Sequence, residues 1–357
     1  MLEADYLPGR TLIHNGREYL YCSGTGYLGT ARNPAFAALL AEGLSRYGTN
    51  YGNSRNGPLR LRIYEEAESY LAHHTGAEAA LTVSSGYLAG QMAVKALAGA
   101  GRFEYAPGTH PAAWLTEHAP MAVSKLSFDE WAADLMQRLQ QEPPEPVVIV
   151  SNSLDALRVQ RYDFSWTQHL PADRPITLLI DDSHGFGVIG PDGAGIWPEL
   201  RVPASVRVVV VSSMGKACGI PSGVVLADTA FIEDLRRSPF FGASSPVVPA
   251  YLYAFLQAAG LYQQARAQLQ ANVQQFTTAT SGLSLFQSAP GFPVFYTLDN
   301  GFAEYMQEKG ILLSSFCYPT PADPCITRVV LSALHTAEDV KRIAEVSRAY
   351  ATEKPAR

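Results

Sequence analysis

Four short segments of the chain carry side chains able to do chemistry, and each stands where a run of apolar residues ends. Ser84-Ser85-Gly86-Tyr87 follows AALTV, and His110 lies in a Pro/Gly-rich loop after RFEYA. Asp181, Asp182 and His184 follow ITLLI, and Ser213 and Lys216 follow VRVVVV. Open α/β sheets form their ligand crevices at such strand ends. The first segment closes a strand and opens a helix, where free backbone N–H groups and the helix dipole favour a phosphate. Taken singly, each piece also has a plain structural reading: a serine N-cap, a solvated loop histidine, acids capping a turn, an ordinary loop lysine.

Three familiar motifs compete for these residues. Gly185 to Gly190 (GFGVIG) is a formal GxGxxG, which would suggest a nicotinamide dehydrogenase, but a dinucleotide fingerprint must open a helix and here PDGAGIWPEL continues as turn and loop. Ser213-Met214-Gly215-Lys216 is a formal SxxK, yet neither SDN nor KTG occurs. Adjacent His73 and His74 lack metal-ligand spacing, and Cys22, Cys218, Cys317 and Cys325 make no CxxC pair, so no metal site is expected. Pyridoxal phosphate accounts for all four segments together. It needs a lysine for its Schiff base, an acid beside the pyridine nitrogen, and a phosphate cup of backbone and hydroxyl donors. A ring stacked on the pyridine completes such a site, and His110 can supply it.

The elements that must position these groups follow from the hydrophobic pattern. Residues 11 to 30 read as a hairpin turning at Asn15-Gly16, and amphipathic helices follow from Pro34 and over Leu59 to His74. From residue 78, strands rich in Val and Ile alternate with helices, which suits a mainly parallel sheet buried on both faces. A long helical stretch starts near 246, and shorter strands (FPVFYTL, ITRVVLSAL) alternate with helices beyond about 285. The expected fold is α/β: a mainly parallel central sheet with helices on both faces, plus a smaller α+β domain. The expected boundaries are 1–45 for an N-terminal segment joining the small domain, 46–280 for the large domain and 281–357 for the small one.

With 357 residues, 47% hydrophobic and 17% charged, the chain can bury a large core. Its net charge of −6 and the lack of any basic block argue against nucleic acid or anionic membranes as partners. The opening MLEADYLPGR has no signal-peptide pattern, no apolar run would span a bilayer, and the cysteines read as unpaired thiols, so a cytoplasmic location is expected.

The chain resembles the α-oxoamine synthases, a branch of the fold-type-I pyridoxal-phosphate-dependent aminotransferases. The likeness runs through GYLGTARNP (26–34), SSGYLAG (84–90), the His110 loop, DDSHGFGVIGPDGAG (181–195), SSMGKACG (212–219) and RVVLSALHT (328–336). It implies that Lys216 carries the cofactor, Asp181 pairs with the pyridine nitrogen, His184 reaches the ring hydroxyl and His110 stacks on the ring. The phosphate would be held at Ser85, by the N–H groups of Gly86 and Tyr87, and by the Ser213 hydroxyl. Ser153 would be a further cofactor contact, and Arg328 would bind the carboxylate of the amino-acid substrate. Ser244 and Ser245 match the stretch that reaches a partner's phosphate, which implies a homodimer with shared active sites.

The chain departs from the family pattern at the substrate side. Gly26 stands for a common asparagine, Ser151-Asn152 for a longer acid-Gly-Val-Phe stretch, and Cys317 for an arginine found in some members. The implied reaction is the decarboxylating condensation of glycine, alanine or serine with an acyl-CoA, with a same-fold aminotransferase or lyase as the alternative.

Overall fold

The computed structural model describes residues 3–116, 126–317 and 325–353. The chain opens with a hairpin, β1 (Thr11–His14) and β2 (Arg17–Cys22), turned by Asn15 and Gly16, both at positive φ as a type I′ turn requires. Helix α1 (Pro34–Tyr47) is capped by Asn33, with Pro34 at its first position, and α2 (Arg62–Thr75) ends on left-handed Gly76. Next come β3 (Ala79–Val83), α3 (Gly86–Ala96), β4 (Arg102–Tyr105), α4 (Phe128–Gln141) and β5 (Val147–Asn152). A short hairpin, β6 (Leu154–Asp155) and β7 (Gln160–Arg161), leads to β8 (Ile176–Asp181), β9 (Val206–Ser213) and β10 (Gly223–Ala227).

Helices α5 (Thr229–Arg237), α6 (Pro239–Ala243), α7 (Pro249–Gln257) and α8 (Ala259–Ala279) follow; the stretch expected as one long helix is broken at Ala258. The chain closes with β11 (Gln287–Ser288), β12 (Val294–Thr297), α9 (Gly301–Glu308), β13 (Ile311–Cys317), β14 (Cys325–Val330) and α10 (Ala337–Glu353).

The central sheet has the order β3-β10-β9-β8-β5-β4, with β4, β5, β8 and β9 parallel and β10 antiparallel to both neighbours. Because side chains alternate along a strand, each strand feeds two cores. Leu179, Val209, Val211 and Val225 pack towards α3 and α5, while Leu178, Ile180, Val210 and Val224 join the larger core on the other face. The second sheet, β1-β2-β13-β14-β12-β11, is completed by the N-terminal hairpin, since β2 pairs in parallel with β13 (Leu20 opposite Ile311). Helix α1 packs along α7.

One expectation is corrected here. Cys317 and Cys325 are not free thiols: they face each other across β13 and β14 and are joined by a disulfide, while Cys22 and Cys218 are free and buried. Their spacing gives no disulfide signal in the sequence, because the pairing is created by the hairpin register. Among the described residues, no helix is long and apolar enough to cross a membrane, and no cluster could hold a metal ion.

Candidate active site

Strand alternation decides which of the candidate residues meet. Asp181 has the parity of Leu179, and Ser213 that of Val211, so both fall on the α3 side of the sheet at its strand ends. Ser85 caps α3 by accepting from Leu88 N at 3.1 Å, and the first N–H groups of that helix, those of Gly86 and Tyr87, have no intrahelical partner. A Cβ on Gly86 would lie 2.4 Å from the Cβ of Ser213, so only glycine lets the helix N-terminus abut the end of β9. Beyond β9, Lys216 is half-buried. Burial pushes its ammonium below the ordinary lysine range, against the pull of the Asp181 carboxylate.

His110 leads the turn after β4, its Nδ1 3.8 Å from Asp181 Oδ2 and about half of its ring surface open. Partial burial and the Lys216 charge lower its pKa while Asp181 raises it, and the net direction is down. His184 is held well below the ordinary value, first by burial and then by the charges of Lys216, Arg328 and His110. Its Nδ1 lies 2.8 Å from the hydroxyl of Tyr27. Tyr27 is 1% exposed and set edge-on to Phe292, and burial drives its phenol up, so the phenol keeps its proton; which of the two groups donates follows the tautomer of His184. A neutral His184 that accepts at Nδ1 carries its own proton on Nε2.

Arg328 enters from the second sheet. It is 5% exposed, donates to Ala156 O at 2.7 Å and Ser314 Oγ at 3.3 Å, lies over the Phe316 ring, and leaves its Nε without a partner. Among the described residues no carboxylate pairs with it, so the internal salt bridge that would explain a buried arginine structurally is missing.

The remaining sequence candidates fall outside this cluster. Asp182, with the parity of Ile180, is fully buried on the opposite face; its Oδ2 accepts from Ile196 N at 2.8 Å and its Oδ1 is unpartnered. Burial pushes its carboxyl up to about 7. Ser153 is also sealed, and its hydroxyl helps to hold the Asp182 carboxyl down against the effect of burial. Ser244 and Ser245 line a surface recess with Asn50, Asn53 and Ser54 that shares no residue with the Lys216 cluster. GFGVIG forms turns and opens no helix, as its context implied. Sequence reading missed Tyr27, although it stands inside the GYLG motif, and Asn152, which holds the His110 loop.

A family model described as "Aminotransferase class I and II" matches residues 165–346. The chain belongs to this family. Its relatives within the class I and II aminotransferases include an 8-amino-7-oxononanoate synthase of Dechloromonas aromatica, 28% identical over 351 residues, covering 94% of this chain and 90% of that one. The counterpart from Nitrosospira multiformis is 29% identical, covering 96% and 89%. Among solved structures, Sphingomonas wittichii serine palmitoyltransferase superposes with a TM-score of 0.83 at 20% identity, covering 99% and 92% of the two chains. The Francisella tularensis 8-amino-7-oxononanoate synthase gives 0.72 at 19%, covering 94% and 98%. The likeness to the α-oxoamine synthases therefore holds, and the fold is that of fold-type-I transferases.

The cofactor is pyridoxal 5′-phosphate. The residues present fit it: a cradle at Gly86 and Ser213 that a Cβ on Gly86 would fill, a half-buried lysine within the field of one carboxylate, and a half-exposed imidazole.

Proposed function

We propose that the chain condenses a small amino acid (glycine, alanine or serine) with an acyl-CoA to give an α-amino ketone, releasing CO2 and CoA. The α-carbon bonds to the acyl carbonyl, the thioester C–S bond breaks and the thiolate leaves, and the bond from the α-carbon to its carboxylate breaks with loss of CO2. Two protons are handled: one leaves the α-carbon before condensation, and one returns to it after decarboxylation. The relatives' names support this reading over transamination or lysis. The observation that carries it is Arg328, a buried guanidinium that among the described residues no carboxylate contacts in an ion pair, and whose charge acts on His184. A guanidinium can hold a carboxylate with two parallel hydrogen bonds and so fix which α-bond faces the lysine.

When bound, pyridoxal phosphate supplies an electron sink for the α-carbon. The rest is the work of side chains. Gly86, Tyr87 and Ser213 would hold the phosphate, His110 would stack on the ring, and Asp181 would keep a proton on the pyridine nitrogen. Tyr27 holds His184 by its Nδ1, and with the phenol as donor the ring would offer Nε2–H to the cofactor's ring hydroxyl. Lys216, once displaced by the substrate amine, takes the α-proton at Nζ, for which a depressed pKa suits it.

The test is a matrix of amino acids against acyl-CoA donors read by free-CoA release, run with Arg328→Lys in parallel. CoA release should require both substrates. Losing one charge-assisted bond of roughly 1.5–3 kcal/mol should raise the amino-acid requirement of Arg328→Lys about ten- to a hundredfold. Amino-group transfer to a keto acid without CoA release would replace the condensation by transamination.

The same reading includes a homodimer in the cytoplasm. Ser244 and Ser245 stand apart from their own Lys216 cluster on an outward recess, where they are free to meet a partner's phosphate. Mixing Lys216→Ala chains with chains altered at both serines should restore part of the activity through hybrid sites. Full activity in a sedimenting monomer would contradict the shared site.

A further inference from the structure

β4, which precedes the His110 loop, is an edge strand with β5 as its one neighbour, and their ladder reaches one residue beyond it, Ala106 N donating to Val150 O. From there to His110 the chain leaves the ladder through left-handed Gly108; a local turn shapes it, with Thr109 N donating to Ala106 O and Ala112 N to the His110 Nδ1, and side chains anchor that turn to the sheet and to α3. The far end is held on α3. A Cβ on Gly90 would lie 2.5 Å from Ala112 O, so glycine admits the loop there, and Gln91 Nε2 donates to the carbonyls of Pro111, Ala112 and Trp114. The near end is held by Asn152, the last residue of β5. Its Oδ1 accepts from His110 N at 3.1 Å, and its Nδ2 donates to Gly108 O at 2.6 Å. These two bonds fix the amide's orientation, since a flip would set donor against donor and acceptor against acceptor. On its other side Asn152 opposes Asp181 in the β5–β8 register. Thr109, whose hydroxyl donates to Val150 O, adds a tie to β5, but Asn152 is the one that bonds both flanks of the turn, Gly108 O and His110 N, from a position opposite Asp181. Asn152 lies in the segment where this chain is shorter than the family pattern, so the bridge is not carried over from that pattern.

We propose that Asn152 is a positioning residue for pyridoxal phosphate, holding the His110 ring in its stacking place by this two-way amide bridge. The inference rests on the cofactor assignment above and is tested by binding, not by turnover. Cofactor dissociation constants are measured by fluorescence titration of the apoprotein, with the visible circular dichroism of the bound cofactor as a second readout. Asn152→Asp replaces the donor facing Gly108 O by an acceptor, and Asn152→Ala removes the bridge without adding charge, so the alanine change serves if the acid impairs folding.

Each should weaken cofactor binding about tenfold and lower the visible dichroism per bound cofactor. In a His110→Ala background the same changes should add less than about twofold, because the group they position is gone. Unchanged affinity in the single variants, or a full loss that persists without the imidazole, would overturn the proposal. Failure of the unaltered protein to bind pyridoxal phosphate would instead overturn the cofactor assignment beneath it.

Discussion

Lys216→Ala should fold, keep its phosphate cradle and lose turnover by at least about a thousandfold. The lysine has two tasks on this reading, carrying the cofactor and moving the α-proton, and the second alone is typically worth about 10²–10⁴-fold. Its environment suits both. Burial lowers the ammonium pKa, enlarging the fraction of free amine near neutral pH, while Asp181 opposes the shift, so the amine stays close to a carboxylate without being locked in an ion pair. Borohydride reduction of the loaded protein followed by peptide mapping should place the pyridoxyl group on Lys216. A label on any other lysine would remove the basis of the site.

The second large effect separates two neighbouring acids. Asp181→Asn should still admit the cofactor but slow α-proton exchange by about a hundredfold or more, because a neutral amide cannot hold a proton on the pyridine nitrogen. Asp182→Asn should leave that exchange nearly unchanged, since Asp182 points to the other face and braces Ile196.

It should change the pH dependence of stability instead. The Asp182 carboxyl is pushed up from 3.8 to about 7, chiefly by burial and in spite of the Ile196 N–H, so it stays neutral in the fold while the unfolded chain ionises. The contribution of this group to stability is then greatest below about 4 and falls as pH rises to about 7, by an amount on the order of a few kcal/mol, and levels off above. Urea midpoints between pH 4 and 8 should show this slope in the unaltered protein and a flatter one in Asp182→Asn. Slow exchange in Asp182→Asn with normal exchange in Asp181→Asn would reverse the assignment.

Much of this site is written in local patterns that a single strand can reveal. The apolar run ITLLI followed by two acids places Asp181 and Asp182 at a strand end, and strict alternation then sends them to opposite faces. Gly86 is legible as a helix opening because Ser85 precedes it. Other features depend on elements far apart in the chain. Tyr27 meets His184 because the segment after the N-terminal hairpin is laid over the end of β8, and no spacing in either segment announces that contact. Asn152 reads as a strand-end residue until the loop after β4 folds back on it. The Cys317–Cys325 pair depends on a hairpin register set by their neighbours. The burial of the Ser153 hydroxyl is likewise illegible, because a match to a family segment says nothing about how far a side chain is sealed.

The N-terminal hairpin also sets a timetable for folding. Its outer neighbour in the second sheet is β13, reached when Leu20 pairs with Ile311, so strands made first find their partner almost last. At about 5–20 residues per second, a ribosome needs roughly a quarter of a minute to a minute to supply it. Throughout that wait β2 presents an open edge with Leu20 and Cys22, which are buried in the finished protein, still uncovered. The newborn chain therefore carries an uncovered apolar edge at this hairpin until β13 is made.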